Sequence, residues 1–313
     1  MRRKVDINPE NIIISPGGKV TMWHAILMFG DKNKEIIYPN PGFPIYESAI
    51  KYTGAKPIPM KLTIKNDFNI DIEKLKASIN KNTSLIIFNS PSNPTGGIVN
   101  QNDLNEIVNI LEKNPHIYIL SDEIYSRIIY DNVNYKSLLS YPQLKDRIIL
   151  LDGWSKTYAM TGWRVGYSVW PSKLVKISER LNINSFSCTN TPAQYGALAA
   201  TEGPQDCVAK MVSIFDNRRK MIFTELNNIK GFKCNQSKGA FYSLPSIKDT
   251  GLSSNKIEDI LLNKLGITTV SGNSFGNNGE GYLRISYASS ENNIKEAIRR
   301  IKKYTETIGW NNA

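Results

Sequence analysis

Residues 147–170 read RIILLDGWSKTYAMTGWRVGYSVW. Two apolar runs, RIILLD (147–152) and VGYSVW (165–170), flank a stretch of small and aromatic residues whose only charges are Lys156 and Arg164. Each run has the length and composition of a strand, and nearly continuous apolar character predicts a strand covered on both faces. Lys156 has no acidic neighbour between Asp152 and Arg164. Burial would strip its hydration, lower its pKa and leave an amine suited to imine formation with a carbonyl compound. Taken alone, it also reads as a surface lysine with a snorkelling stem.

The same pattern continues outward. NIIIS (11–15), EIIYP (35–39), SLIIFN (84–89) and IYILS (117–121) read as further strands. Between the last two, Leu104, Ile107, Val108 and Leu111 keep the i, i+3, i+4, i+7 spacing of a helix that stops at Asn114-Pro115. Such alternation predicts an α/β domain with a mainly parallel sheet, whose ligands sit outside the carboxyl ends of the strands. After Gly203-Pro204 a long helical pattern carries Val208, Met211, Val212, Phe215, Ile222 and Leu226. Beyond it the order becomes FYSLP, ITTVS and YLRISYA with two helices, an α+β arrangement. We therefore expect a large domain over 1–226 and a smaller C-terminal domain over 227–313.

The 313 residues suffice for a large domain and a small companion, each with its own core. No apolar run approaches a membrane span, and MRRKVDINPEN lacks the apolar centre of a signal peptide, so a cytoplasmic protein without membrane partners is expected. Cys188, Cys207 and Cys234 are widely spaced, with only His24 and His116 as imidazoles, which argues against a zinc site and a disulfide framework. Three reduced cysteines and no metal follow. The net charge of +11 is dispersed rather than gathered into a patch. Its densest cluster, RRIKK (299–303), shares a helical pattern with Ile294, Ile298, Ile301 and Ile308, so it reads as a solvated helix face and not a nucleic-acid site.

Each strand end carries a distinctive group. NIIIS leads into Pro16-Gly17-Gly18-Lys19, a glycine pair entering a helix whose N–H groups suit a phosphate or simply form a turn. A Walker loop is excluded, because Ile13 stands where its first glycine belongs and Val20 follows the lysine. SLIIFN leads into SPSNPTGG (90–97), a loop that two prolines and two glycines make rigid around Asn93. IYILS leads into Asp122, Glu123, Ile124 and Tyr125. A carboxylate there either meets a positive group or caps a following helix. A phosphate cradle, an amide, a carboxylate, a phenol, an amine and an arginine thus converge where one crevice would form. Pyridoxal phosphate, with its phosphate, phenolic oxygen, ring nitrogen and aldehyde, would use all of them.

These residues resemble the class I/II aminotransferases of the aspartate aminotransferase fold, fold type I of the pyridoxal phosphate enzymes. The matching stretches are SPGGK (15–19), YPNPGFPIYES (38–48), NSPSNPTGG (89–97), SDEIY (121–125), GWSKTYAMTGWRVGY (153–167), GAFY (239–242) and GEGYLRISYA (279–288). They follow the family's order along essentially the whole chain. The resemblance implies that Lys156 carries the imine to the cofactor and, once displaced by substrate, moves the proton between substrate and cofactor carbons. It implies that Asp122 pairs with the pyridine nitrogen and keeps it protonated. Tyr125 and Asn93 would hydrogen-bond the phenolic oxygen. Arg164 would clamp the phosphate with Ser155 and the amides near Gly18 and Lys19. Phe43 would stack on the ring, and Arg284 would bind the substrate α-carboxylate, with Asn93 nearby.

The activity implied is transfer of an amino group from an L-amino acid, aspartate by overall resemblance, to a 2-oxo acid such as 2-oxoglutarate, by a homodimer. Alternatives on the same fold are a carbon–sulfur lyase or another pyridoxal phosphate enzyme, or an inactive shortened paralogue. By the same resemblance the family carries a further segment ahead of NIIISPGGK, so this chain is expected to lack that N-terminal part. RRK (2–4) then reads as the tail of an earlier helix.

Overall fold

The computed structural model describes Arg3 and residues 5–310. Along the large sheet's part of the chain run β1 (Ile12–Ser15), α1 (Lys19–Phe29), β2 (Glu35–Asn40), α2 (Ile45–Tyr52), β3 (Lys56–Lys61), α3 (Ile72–Ser78), β4 (Thr83–Asn89) and α4 (Gln101–Glu112). They continue through β5 (Tyr118–Asp122), β6 (Ile148–Gly153), α5 (Trp154–Thr157), β7 (Gly166–Val169), α6 (Ser172–Phe186) and α7 (Thr191–Glu202). The strands form one sheet in the order β1-β7-β6-β5-β4-β2-β3. All neighbours pair in parallel except β7, which runs antiparallel to both β6 and β1.

The continuous apolar runs have a simple cause. Successive strand residues point to opposite faces, and both faces are covered. Ile86, Phe88, Ile119 and Leu150 pack on one side with Leu104, Ile107, Val108 and Leu111 of α4. Leu85, Ile87, Leu120, Ile149 and Leu151 pack on the other with Met22 and Ile26 of α1 and Tyr46 and Ile50 of α2. The mainly parallel α/β sheet read from the sequence is the observed one.

β3 was not among the expected strands, because KPIPMK (56–61) carries two prolines. It lies at the sheet edge. The amides of Lys56 and Leu62 donate to Lys34 and Asn40 of the β2 side. By alternation Pro57 and Pro59 therefore face the open edge, where a missing N–H costs no ladder bond.

The rest of the chain holds α8 (Asp206–Asn227), β8 (Tyr242–Ser243), α9 (Ser254–Asn263), β9 (Val270–Ser271), β10 (Leu283–Ser286) and α10 (Glu291–Thr307). The three strands form an antiparallel sheet in the order β8-β10-β9. Their core joins Phe215, Ile222 and Leu226 of α8 to Ile257, Leu261, Leu283 and Ile298, and it reaches Tyr125, Ile128 and Tyr130 after β5. The small core therefore abuts the carboxyl end of a central strand of the large sheet. On α10 Ile294, Ile298 and Ile301 are buried, whereas Ile308 lies past the helix end and is exposed, because the helix stops at Thr307. Arg299 and Arg300 both pair with Glu296 on the solvent side. No described helix is long and apolar enough to cross a membrane.

Candidate active site

Four strands, β1, β4, β5 and β6, deliver their carboxyl ends to one crevice. At the end of β1 the chain turns through Gly17, φ +89°, into α1. Gly18 is the N-cap of this 11-residue helix and no side chain caps it, so the first-turn amides remain available to an anion. Gly166 of β7 lies against this turn: a Cβ there would sit 2.8 Å from the Gly18 nitrogen. A Cβ on Gly17 would overlap the Arg164 guanidinium. Arg164 itself adopts the left-handed conformation, φ 53°. It donates to the carbonyls of Thr161 at 2.8 Å and Pro16 at 3.2 Å. An exposed guanidinium held beside the open end of a helix is a phosphate-sized positive cradle. Ser155, on α5, is buried, and its carbonyl accepts from Thr161 Oγ1 at 2.9 Å.

Asp122 ends β5 and is 2% exposed. Its Oδ2 accepts from Tyr46 Oη at 2.6 Å and its Oδ1 from the Ile124 amide at 3.2 Å. Burial pushes this carboxyl up to about 7, and the two hydrogen bonds oppose the rise. No described helix begins here, so the helix-capping alternative for Asp122 does not apply. Phe43 lies edge-on to Tyr46 with centroids 6.1 Å apart, and Lys19 Nζ sits 5.5 Å over the Phe43 ring.

Lys156 is in the single turn of α5 that follows β6. Its Nζ lies 5.8 Å over the Phe241 ring. Burial lowers its pKa, the nearby Arg164 and Arg284 charges lower it further, and Asp122 acts in the opposite sense. An amine so placed is more readily neutral, and hence nucleophilic, than an exposed lysine.

Across the crevice Arg284 of β10 donates to Asn93 Oδ1 at 3.1 Å and lies between the rings of Tyr242, 4.6 Å away, and Phe275, 4.8 Å away. Its Nε is buried and has no hydrogen-bond partner among the described residues. A guanidinium with spare donors between two rings suits a bidentate carboxylate ligand. Asn93 is oriented by its own amide, which donates to Asn89 Oδ1 at 2.8 Å. Tyr125 is 3% exposed, and its hydroxyl faces that of Tyr242 at 3.0 Å.

The structure thus brings Gly18, Ser155 and Arg164 to one end of the crevice and Asn93, Tyr125 and Arg284 to the other. Asp122, at the end of β5, and Lys156, in the turn α5 that follows the adjacent strand β6, lie between them. Sequence reasoning missed Tyr46, Asn89 and Tyr242, although each falls inside a stretch that carried the resemblance. It also missed a buried ionic cluster behind Asp122. Arg3 Nε donates to Glu123 Oε2 at 2.8 Å, Arg3 Nη1 to Tyr167 Oη at 2.9 Å, and Arg3 Nη2 pairs with Asp152. Arg3 sits in a bend; the expected helix tail over 2–4 otherwise lies outside the described residues. The cysteines are free, and among the described residues no group of three or more His, Cys, Asp or Glu could hold a metal.

Residues 1–301 match the family of aminotransferase class I and II. A probable aspartate aminotransferase of Methanocaldococcus jannaschii is 40% identical over 308 residues, covering 96% of this chain and 79% of that protein. The aromatic-amino-acid aminotransferase 2 of Thermococcus litoralis is 34% identical, covering 96% of this chain and 77% of that protein. A crystal structure of an aromatic aminotransferase from Pyrococcus horikoshii superimposes with a TM-score of 0.93 at 32% identity, covering 96% of this chain and 81% of that one. Sequence, fold and the geometry at the strand ends agree: the chain belongs to the class I and II aminotransferases, enzymes that move an amino group between an amino acid and an oxo acid.

Proposed function

We propose that this chain is a pyridoxal phosphate-dependent aminotransferase acting on an L-amino acid, aspartate in the first instance, with 2-oxoglutarate as acceptor. The observation that carries the reading is Asp122, a carboxylate 2% exposed at a strand end, facing the same crevice as an amine whose pKa is lowered. A buried carboxylate of this kind is costly unless a cation meets it, and a protonated pyridine nitrogen is such a cation. The residues fit the cofactor in two further respects: the uncapped start of α1 and the Arg164 guanidinium suit its phosphate, and a side chain at Gly17 would fill that cradle. The Arg284 Nε, without a partner among the described residues, is left for the substrate.

When bound, the cofactor supplies an electrophilic carbonyl and an electron sink. The protein's part is binding, orientation and proton movement. Arg164, Ser155 and the amides of Gly18 and Lys19 would hold the phosphate, and Asp122, held by Tyr46, would keep the ring nitrogen protonated. Phe43 would pack on the ring, while Tyr125 and Asn93 would donate hydrogen bonds to the phenolic oxygen. Arg284 orients the substrate carboxylate, and Lys156 Nζ is the base that takes and returns the substrate proton. The preference for aspartate rests on similar proteins that carry that name, including one 35% identical from Sulfurisphaera tokodaii.

The active unit is a homodimer. Trp163, Tyr195 and Leu198 are each at least half exposed, and Trp163 packs against Gly196 of α7, an apolar surface suited to a second copy. A panel of amino donors with 2-oxoglutarate tests the function, with glutamate formation as the readout. Pyruvate and ammonia without glutamate would instead indicate a lyase. Lys156→Ala must abolish turnover and the borohydride-reducible absorbance; wild-type turnover in that variant would overturn the assignment.

A further inference from the structure

Arg3 stands 120 residues from Glu123 and 149 from Asp152 in the chain, yet it joins both side chains. The two carboxylates adjoin the crevice directly in sequence: Glu123 follows Asp122 and Asp152 precedes Gly153 and α5. Glu123 is 1% exposed and Asp152 5%. Glu123 Oε1 accepts from Ser121 at 2.9 Å and Ser137 at 2.6 Å, so neutral donors satisfy one oxygen and Arg3 the other. Asp152 accepts from the Gly153 amide at 2.7 Å and from Ser126 at 3.0 Å. In the described residues Arg3 is the cation paired with either carboxylate. Tyr167 and Tyr135 face the cluster as neutral phenols, held so by burial.

We propose that Arg3 is a positioning residue of the active site: by binding Glu123 and Asp152 together it locks the ends of β5 and β6, and with them Asp122 and the turn that carries Lys156. Two buried carboxylates on adjacent strands repel each other, and a guanidinium between them converts that repulsion into a clasp. Their charges also bear on Asp122, where both act to raise its proton affinity. Arg3 offsets them. The inference that Arg3 serves cofactor binding rests on the reading of Asp122 as the partner of the ring nitrogen; the clasp itself does not.

The test compares Arg3→Met, Arg3→Lys and the charge-balanced triple variant Arg3→Met/Glu123→Gln/Asp152→Asn, each as the full chain. Melting temperature is followed without added cofactor from about pH 5.5 to about pH 8.5, and pyridoxal phosphate affinity by absorbance titration. Without Arg3 the folded state favours protonated carboxylates more than the unfolded state does, so stability falls as pH rises. The gap between wild type and Arg3→Met must therefore widen towards about pH 8.5. Affinity for pyridoxal phosphate should fall by about tenfold, the effect of roughly one pH unit at the Asp122 site. Arg3→Lys should recover part of both losses, and the gap between wild type and the triple variant should stay constant with pH even if Arg3→Met fails to fold. An Arg3→Met gap that does not change with pH, or a triple-variant gap as pH-sensitive as that of Arg3→Met, would overturn the clasp. If the clasp holds but Arg3→Met binds pyridoxal phosphate as the wild type does, the link to the site is overturned. Wild-type chain that takes up no pyridoxal phosphate would instead refute the cofactor reading, leaving the melting series to decide on the clasp.

Discussion

Tyr46→Phe removes one hydroxyl from an enclosed pair in which Tyr46 is 0% exposed and donates to Asp122 at 2.6 Å. A hydrogen bond to a buried carboxylate contributes about 1.5–3 kcal/mol. That equals roughly one to two pH units in the proton affinity of the carboxyl group. Burial already pushes Asp122 up to about 7, with the Tyr46 bond as the largest opposing influence. In the variant Asp122 should titrate about one to two units higher and stay protonated in the folded chain at neutral pH. The sign of the stability effect follows. A carboxyl raised above its unfolded value stabilises the folded state in acid, and that stabilisation is lost as pH rises through the folded value. In the wild type the loss is complete slightly above about 7, and in Tyr46→Phe it continues to about 8–9. The substitution should therefore cost little near pH 5 and about 1.5–3 kcal/mol near pH 9. Melting temperatures of the full chain at the two pH values, without added cofactor, measure the difference. Equal destabilisation at both would refute the reasoning, because it would mean that the hydroxyl acts through packing and not through the Asp122 charge.

Gly17→Ala places a Cβ into the Arg164 guanidinium at a backbone φ of +89°, so about 1–2 kcal/mol of destabilisation and a displaced Arg164 are expected. Phosphate affinity, measured by displacement of a pyridoxal phosphate signal, should weaken with it. Arg284→Gln should raise the KM for amino donors about 10- to 100-fold, the value of a charge-assisted bond, while pyridoxal phosphate affinity changes little. Equal losses in both would move Arg284 out of the substrate pocket. Arg219, with a side chain 1% exposed, donates to Asp131 at 2.6 and 2.9 Å beside the small core. Arg219→Ala should cost about 3 kcal/mol by chemical denaturation. Hydrogen bonds from Arg219 and then Lys238 hold Asp131 well below the usual carboxylate range. This stabilisation is present above the unfolded carboxylate value and lost as pH falls below it, so the penalty of Arg219→Ala should shrink in acid.

Much of the fold was legible because burial on both sides leaves no polar face to interrupt the strands. RIILLD, SLIIFN and IYILS are strands for that reason, and the helix over 101–112 announced itself by spacing. β3 was illegible because its prolines contradict a strand until the sheet edge is known. Ile308 was misread because spacing carries no information on where the last turn of α10 unwinds. At the site, the residues within recognisable stretches could be named in advance, but their pairings could not. Nothing in IYES predicts that Tyr46 reaches Asp122, 76 positions away. Nothing in GAFY predicts that Tyr242 stands between Tyr125 and Arg284.

By itself the sequence determined the chemical inventory: an amine without acidic neighbours, a carboxylate at a strand end, a glycine turn entering a helix, and an arginine eight residues beyond the amine. Those are local properties, fixed by residue type and by periods of two and 3.6. Only the tertiary structure decided which charges are compensated. Arg3, read as the end of a helix, meets Glu123 and Asp152 because folding buries two carboxylates on adjacent strands, and the low dielectric there makes an unpaired charge far more costly than the ordering of one arginine.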